Sequence, residues 1–222
     1  MHRPIALGTA LALFLAAPLP AVAQGGEPAF GFVAGVNRTT LSRNSVDGGT
    51  GGAFGLTTRW PLAGAVRLRV DGLVTRRVVR HDIGGCPFFF PCTPDQVLPP
   101  GTRSVRLTQF DVPVLLEARA TRGAVRPWVL GGPYGSARIG CSARDDHGTV
   151  VASSSCADDL RGLHAGFVVG GGIELGRVGV GVRWTRSLTS LSKPVPADGS
   201  SLFGDAHLST LSLVVEVGDL FR

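Results

Sequence analysis

Along residues 65–80 apolar and polar positions alternate with a period of two. Val66, Leu68, Val70, Val74 and Val78 interleave with Arg67, Arg69, Asp71, Thr75 and Arg77. Residues 178–190 repeat the pattern, with Val178, Val180, Val182, Trp184 and Leu188 against Gly179, Gly181, Arg183, Thr185 and Ser187. So do residues 207–220, with Leu211, Leu213, Val215 and Val217 against Thr210, Ser212 and Glu216. Residues 104–120 do so more roughly, Val112, Val114, Leu116 and Ala118 opposing Asp111, Glu117 and Arg119. A period of two places successive side chains on opposite faces, so each stretch reads as a β-strand with one apolar face. Eight such segments follow one another, at 30–42, 52–61, 65–80, 104–120, 124–140, 161–175, 178–190 and 207–220, with no amphipathic helix between them.

The connections carry as much information as the strands. Tight links at Pro61–Gly64, Thr121–Gly123 and Gly176–Arg177 alternate with long ones at Arg43–Gly51, His81–Arg103, Cys141–Leu160 and Leu191–Ala206. Strict alternation is what an up-and-down barrel gives when periplasmic turns occupy one end and extracellular loops the other. The expected fold is therefore all-β, an eight-stranded antiparallel up-and-down transmembrane β-barrel with both termini periplasmic. Alternation alone does not say which face is inside. A soluble periplasmic ligand-binding barrel of the lipocalin kind would turn the apolar face inward.

Composition favours lipid outside. Hydrophobic residues make up 44% and charged residues only 17%, against the usual quarter charged, and mean hydropathy is +0.24. Met1-His2-Arg3, an apolar run from Ile5 to Pro18 and the small pair Ala21 and Ala23 read as a signal peptide over 1–23, leaving 24–222 as the barrel domain. Beyond that leader no apolar run approaches the length of a membrane helix. The pI near 10.1 comes almost wholly from arginine, because Lys193 is the only lysine. Nucleic acid is set aside as a partner for an exported chain. Lipopolysaccharide phosphates, or acidic side chains across a barrel lumen, suit these arginines better. Four cysteines in an oxidising compartment favour disulfides, and the local pairings Cys86–Cys92 and Cys141–Cys156 are preferred among the three possible. Their spacing matches no zinc site.

The stretches Phe110-Asp111-Val112-Pro113-Val114-Leu115-Leu116, Arg126-Pro127-Trp128-Val129-Leu130-Gly131-Gly132-Pro133-Tyr134 and Gly170-Gly171-Gly172-Ile173-Glu174-Leu175 occur in this order. Val180-Gly181-Val182-Arg183-Trp184-Thr185-Arg186-Ser187-Leu188-Thr189 follows them, and Gly31-Phe32-Val33-Ala34-Gly35-Val36-Asn37 precedes them. With these motifs the chain resembles the outer-membrane β-barrel domain family that includes PorT-like proteins, over nearly the whole length after the leader. The resemblance implies an eight-stranded outer-membrane barrel and no shared catalytic residues. It also suggests that Pro113, Pro127 and Pro133, awkward in strands because each removes a ladder donor, are family features at bulges. The ending departs from the commoner terminal aromatic, since Phe221 is penultimate before Arg222.

Four candidate sites follow. Arg67, Arg69, Asp71, Glu117, Arg119, Glu174, Arg183 and Glu216 form a luminal charge set. Arg67 and Arg69 are expected near Glu117 and Arg119, and Arg183 near Glu216. Such a set serves either as a polar pathway or as a plug, and eight strands enclose a space that side chains can fill. Phe88, Phe89 and Phe90, between Cys86 and Cys92, are a loop binding candidate or a cover for the barrel mouth. Arg76, Arg77, Arg80, Arg103, Arg106, Arg138, Arg144 and Arg161 form a basic rim suited to lipopolysaccharide, or simply to water. His207-Leu208-Ser209 looks like the His-x-Ser of barrel-type lipid A deacylases. The match stops there, because Glu216 falls on the opposite face and Asp219 lies near the far end. His81, His147 and His164 are scattered. The expectation is a non-enzymatic, monomeric outer-membrane protein with no metal or cofactor. It would contact outer-membrane lipid and lipopolysaccharide, with a protein partner at its disulfide-stapled extracellular loops. The rivals are a lipid A-modifying acyl hydrolase, a soluble ligand-binding barrel and a pore.

Overall fold

A computed structural model describes residues 27–42, 46–85, 98–146, 151–154, 160–191 and 206–218. The expected leader, Cys86, Cys92, Cys156, His147, Asp219, Phe221 and the three phenylalanines at 88–90 lie outside them. The strands are β1 (Ala29–Leu41), β2 (Val46–Ala63), β3 (Val66–Gly85), β4 (Leu98–Arg119) and β5 (Val125–Asp146). Then come β6 (Val151–Ser154), β7 (Leu163–Leu175), β8 (Val178–Ser187) and β9 (Leu208–Val217). Every pairing is antiparallel, and the ladder runs β4-β3-β2-β1-β9-β8-β7-β5, with β5 returning to β4. Eight strands thus close a barrel. The short β6 extends it by pairing with the outer end of β5, Ala143 opposite Ser154. A strand inside the segment 141–160 was not expected from its composition.

Three glycines in left-handed backbone, Gly64, Gly123 and Gly176, mark the three tight turns, all at one end. A side chain would strain those positions. The opposite, loop end is where the strands outrun the sequence reading. β3 reaches Gly85 and β4 begins at Leu98, each well beyond the alternating stretch.

The prolines behave differently from expectation. The β4–β5 ladder lapses between Pro113↔Tyr134 and Leu116↔Gly131, yet its register is unchanged across the gap. The register shift in this pair lies instead at Thr108/Gln109. Missing donors interrupt the bonding without a bulge, because neighbouring pairs on both sides hold the strands in register.

The faces decide what surrounds the barrel. Phe54 is 63% exposed, Leu213 52% and Val182 47%, whereas Arg69 and Glu117 are 0% exposed. Phe32, Val36, Leu56, Leu116, Val129, Ile139, Val169 and Leu211 also point outward. A soluble barrel has the reverse arrangement. Apolar residues outside and charges within define a transmembrane β-barrel.

Inside, the packing is layered. Near the turn end the Trp128 indole lies across β7 and β8, and a Cβ placed at Gly172 or Gly181 would run into its ring. Leu115, Leu130, Tyr134 and Val168 pack with it. At the loop end Leu41, Val79, Val105, Leu107, Ala143 and Leu208 from the strands surround Leu160, Leu191 and Ala206 from the connections. Gly181→Val is expected to displace Trp128 and destabilise the barrel by about 1–3 kcal/mol. The urea midpoint checks this, and an unchanged midpoint would show that the indole has room to move.

Candidate luminal charge site

The site is built by alternation. On β3 the inward positions are Arg69, Asp71, Leu73, Thr75, Arg77 and Val79, and on β4 they include Gln109, Asp111, Glu117 and Arg119. Closure of the ring brings these towards Arg59 of β2, Glu174 of β7, Arg183 of β8 and Glu216 of β9.

Arg69 is the hub. Its Nε donates to Asp71 Oδ1 at 2.8 Å, and its Nη1 donates to Glu216 Oε2 at 2.8 Å and Glu117 Oε2 at 3.1 Å. Arg183 bridges Asp71 Oδ2 and Glu216 Oε1, both at 2.7 Å. Arg59 Nη2 reaches Glu216 Oε2 at 2.5 Å, and its Nε lies 3.5 Å from Glu117. Arg119 holds Glu117 Oε1 at 2.8 Å and also Glu174. Half-buried Arg126 closes the turn end on Glu174 Oε1 at 2.5 Å and donates to the Gly176 carbonyl at 2.8 Å.

Four inner guanidiniums, Arg59, Arg69, Arg119 and Arg183, thus meet four carboxylates, Asp71, Glu117, Glu174 and Glu216. Every carboxylate has at least two cationic partners. In a low-dielectric interior an unpaired charge is costly, so a balanced and bonded set is the arrangement that tolerates burial.

Arg67 faces Glu117 across the β3–β4 ladder but is only half-buried. The guanidinium that lies deeper is Arg59, which the sequence reading missed. Its signal was modest, since Thr57 and Arg59 alternate with outward Leu56 and Trp60 in a glycine-rich stretch.

Arg77 requires a correction. Expected on the basic rim, it is 3% exposed inside the barrel, with Nη2 2.7 Å from Asp111 Oδ2 and Nη1 on Gln109 Oε1. Its parity with Arg69 and Thr75 is the physical reason. Of the other rim candidates, Arg76, Arg80, Arg106 and Arg144 are exposed, whereas Arg103, Arg138 and Arg161 are half-buried and engaged.

Between the ion network and the Arg77–Asp111 pair lies a cavity of about 40 Å³, bordered by Thr75, Tyr134, Arg183 and Thr210 among others. That is room for roughly three waters and far below the ~300 Å³ of a small-molecule pocket.

Ser209, half-buried on the outward side of β9, accepts a hydrogen bond from Trp184 Nε1 at 2.8 Å. His207 Nδ1 has no partner among the described residues, and no hydrogen bond links the two. Nor do the described residues contain a cluster of metal-ligating side chains. Cys141 is not free, while its expected partner Cys156 lies outside the described residues.

No family model and no curated protein matches the chain. Its fold is similar to that of Neisserial surface protein A, at 12% identity over 86% of this chain and 96% of that one, TM-score 0.42. It is also similar to Ail, the attachment invasion locus protein of Yersinia pestis, at 11% identity over 87% and 99%, TM-score 0.37. A third is the outer membrane enzyme PagL, at 14% identity over 84% and 98%, TM-score 0.40. At such distances no residue role passes to this chain.

Proposed function

We propose that the chain is an integral outer-membrane protein whose lumen is closed by its own side chains and whose work is done at its loop face. In this reading the tight turns are periplasmic and the long connections extracellular. The observation that carries the proposal is the buried luminal ion network, Arg69 and Arg183 tied to Asp71 and Glu216 beneath an apolar outer layer. Bonded charges of equal number occupy the cross-section that a solute would need, which favours a plug over a pathway. The apolar exterior supports residence in lipid.

The closed ring supports action as a monomer, since it leaves no unpaired edge along the barrel strands. The motif likeness to PorT-like barrels is kept as part of this proposal, without a role in secretion. The Cys141–Cys156 staple, the Cys86–Cys92 ring and a protein partner at the loops belong to the same proposal. The engagement of the Ser209 hydroxyl by Trp184 speaks for a non-enzymatic role.

Reconstitution tests the closed lumen. Planar-bilayer recordings are expected to show no discrete conductance, and stepwise currents from the purified chain would overturn it. In cells, the protein should resist a salt wash and yield to detergent. An altered lipid A acyl pattern on expression would establish the hydrolase instead.

A further inference from the structure

Among the described side chains, the exposed charges are almost all of one sign. Among the side chains described, every carboxylate except that of Glu27 is buried in the lumen, whereas Arg38, Arg76, Arg80, Arg106, Arg122, Arg144, Arg177 and Arg186 are exposed. Four of these are neighbours at the loop end. Arg76 and Arg80 lie on β3, Arg106 on β4 and Arg144 on β5. Arg106 faces Val78, midway between Arg76 and Arg80, while Arg80 and Arg144 flank Ser104 from opposite sides. With strands about 4.8 Å apart and a rise of about 3.3 Å per residue, the four fill a patch roughly 10 Å wide and 13 Å long. Arg38 and Arg186 stand apart, opposite Leu211 and Ser209 respectively.

The patch borders the apolar exterior directly. Val74 precedes Arg76 on the outward side of β3, Phe110 lies two outward positions below Arg106, and Ile139 is 62% exposed below Arg144. Like charges on adjacent strands repel, the more so beside hydrocarbon. Among the described side chains none of the four has a carboxylate partner, and the one acidic position directly across the ladder from any of them is Asp47, opposite Arg80. A polyanion held between them removes that repulsion. Guanidinium forks match phosphate oxygens bidentately, which an ammonium does not. A ligand satisfying both halves of the surface carries phosphate above and acyl chains below.

Resting on the outer-membrane reading, we propose that Arg76, Arg80, Arg106 and Arg144 bind the phosphates of an acylated glycolipid of the outer leaflet. Its chains lie against Val74, Phe110 and Ile139. The site is lateral, on the β3–β5 side of the barrel, and independent of the lumen.

The test uses the full chain in phosphatidylcholine nanodiscs with bisphosphorylated lipid A, with the same lipid after dephosphorylation, or with inorganic phosphate alone. Native mass spectrometry counts retained lipid, and a melting curve reads stabilisation. Phosphorylated lipid A is expected to be retained and to raise the melting temperature. The dephosphorylated lipid and free phosphate are expected to do neither. Arg106→Gln with Arg144→Gln should weaken retention about tenfold. Arg122→Gln with Arg177→Gln removes the same charge at the turn end and should leave retention unchanged. Equal retention of dephosphorylated lipid, full stabilisation by free phosphate, or equal loss in both double variants would each overturn the proposal. If the first double variant does not fold, the comparison of the two lipids on the unaltered chain decides alone. Insertion is scored separately by salt-wash resistance, so failure of the site with insertion intact leaves the membrane placement standing.

Discussion

Replacing Glu216 by Gln is expected to cost about 3–5 kcal/mol of unfolding free energy. Its carboxylate is the shared acceptor of Arg59, Arg69 and Arg183, at 2.5, 2.8 and 2.7 Å, and it is 2% exposed. The amide keeps the volume and one oxygen but removes the negative charge, leaving three cations at the centre of the barrel with only Asp71 and Glu117 to answer them. The loss comes from stranding those cations rather than from the worth of the original pairs, whose attraction is largely offset by desolvation. Urea unfolding followed by tryptophan emission measures it. Arg126→Gln is the internal comparison, because that side chain is 31% exposed and a surface pair contributes about 1 kcal/mol or less. Similar losses for the two variants would mean that the lumen is wet enough to screen its own charges.

The second large effect concerns the loop-end layer. Leu160 and Leu191 are 0% and 1% exposed, and both come from connections rather than barrel strands. Backbone bonds fix them over the mouth, Leu191 N to the Ala206 carbonyl at 3.0 Å and Arg161 N to the Leu191 carbonyl at 2.9 Å. Truncating each leucine to alanine is expected to cost about 2–5 kcal/mol, read as a fall in the denaturation midpoint. The double variant should still pass no current, because the ion network lies below this layer. Currents appearing only in the double variant would show that the apolar layer, and not the charges, is what closes the barrel.

The barrel was legible because period-two alternation in β3, β8 and β9 is regular enough to fix both faces of those strands. Once the ring is closed, neighbours inherit the same inside and outside. Arg69, Asp71, Glu117, Arg183 and Glu216 were readable for that reason. Arg59 was not, because the glycines and threonines of β2 blur the polar rhythm. Arg77 was assigned by its distance along the chain, near a strand end, when its parity placed it inside. β3 and β4 run far past the apolar belt, and there polarity no longer separates strand from loop. The same overrun hid β6, which has few apolar residues and forms by extending an existing ladder. The lapse of bonding at Pro113 and Pro133 could be anticipated, but its in-register form depended on the pairs above and below. Side-chain placement on the outer face was open in the sequence, since the lateral cluster on β3–β5 depends on a register that alternation does not supply.

The shared acceptor of the lumen also bears on how the barrel comes together. Glu216 sits on the last strand, 157 residues from Arg59 and 147 from Arg69. A nascent chain lacking that strand holds a surplus of cations in an open sheet. Arrival of β9 supplies the missing anion in the same event that seams it to β1 and β8. The final strand therefore acts as a latch, closing the ring and balancing its charge together.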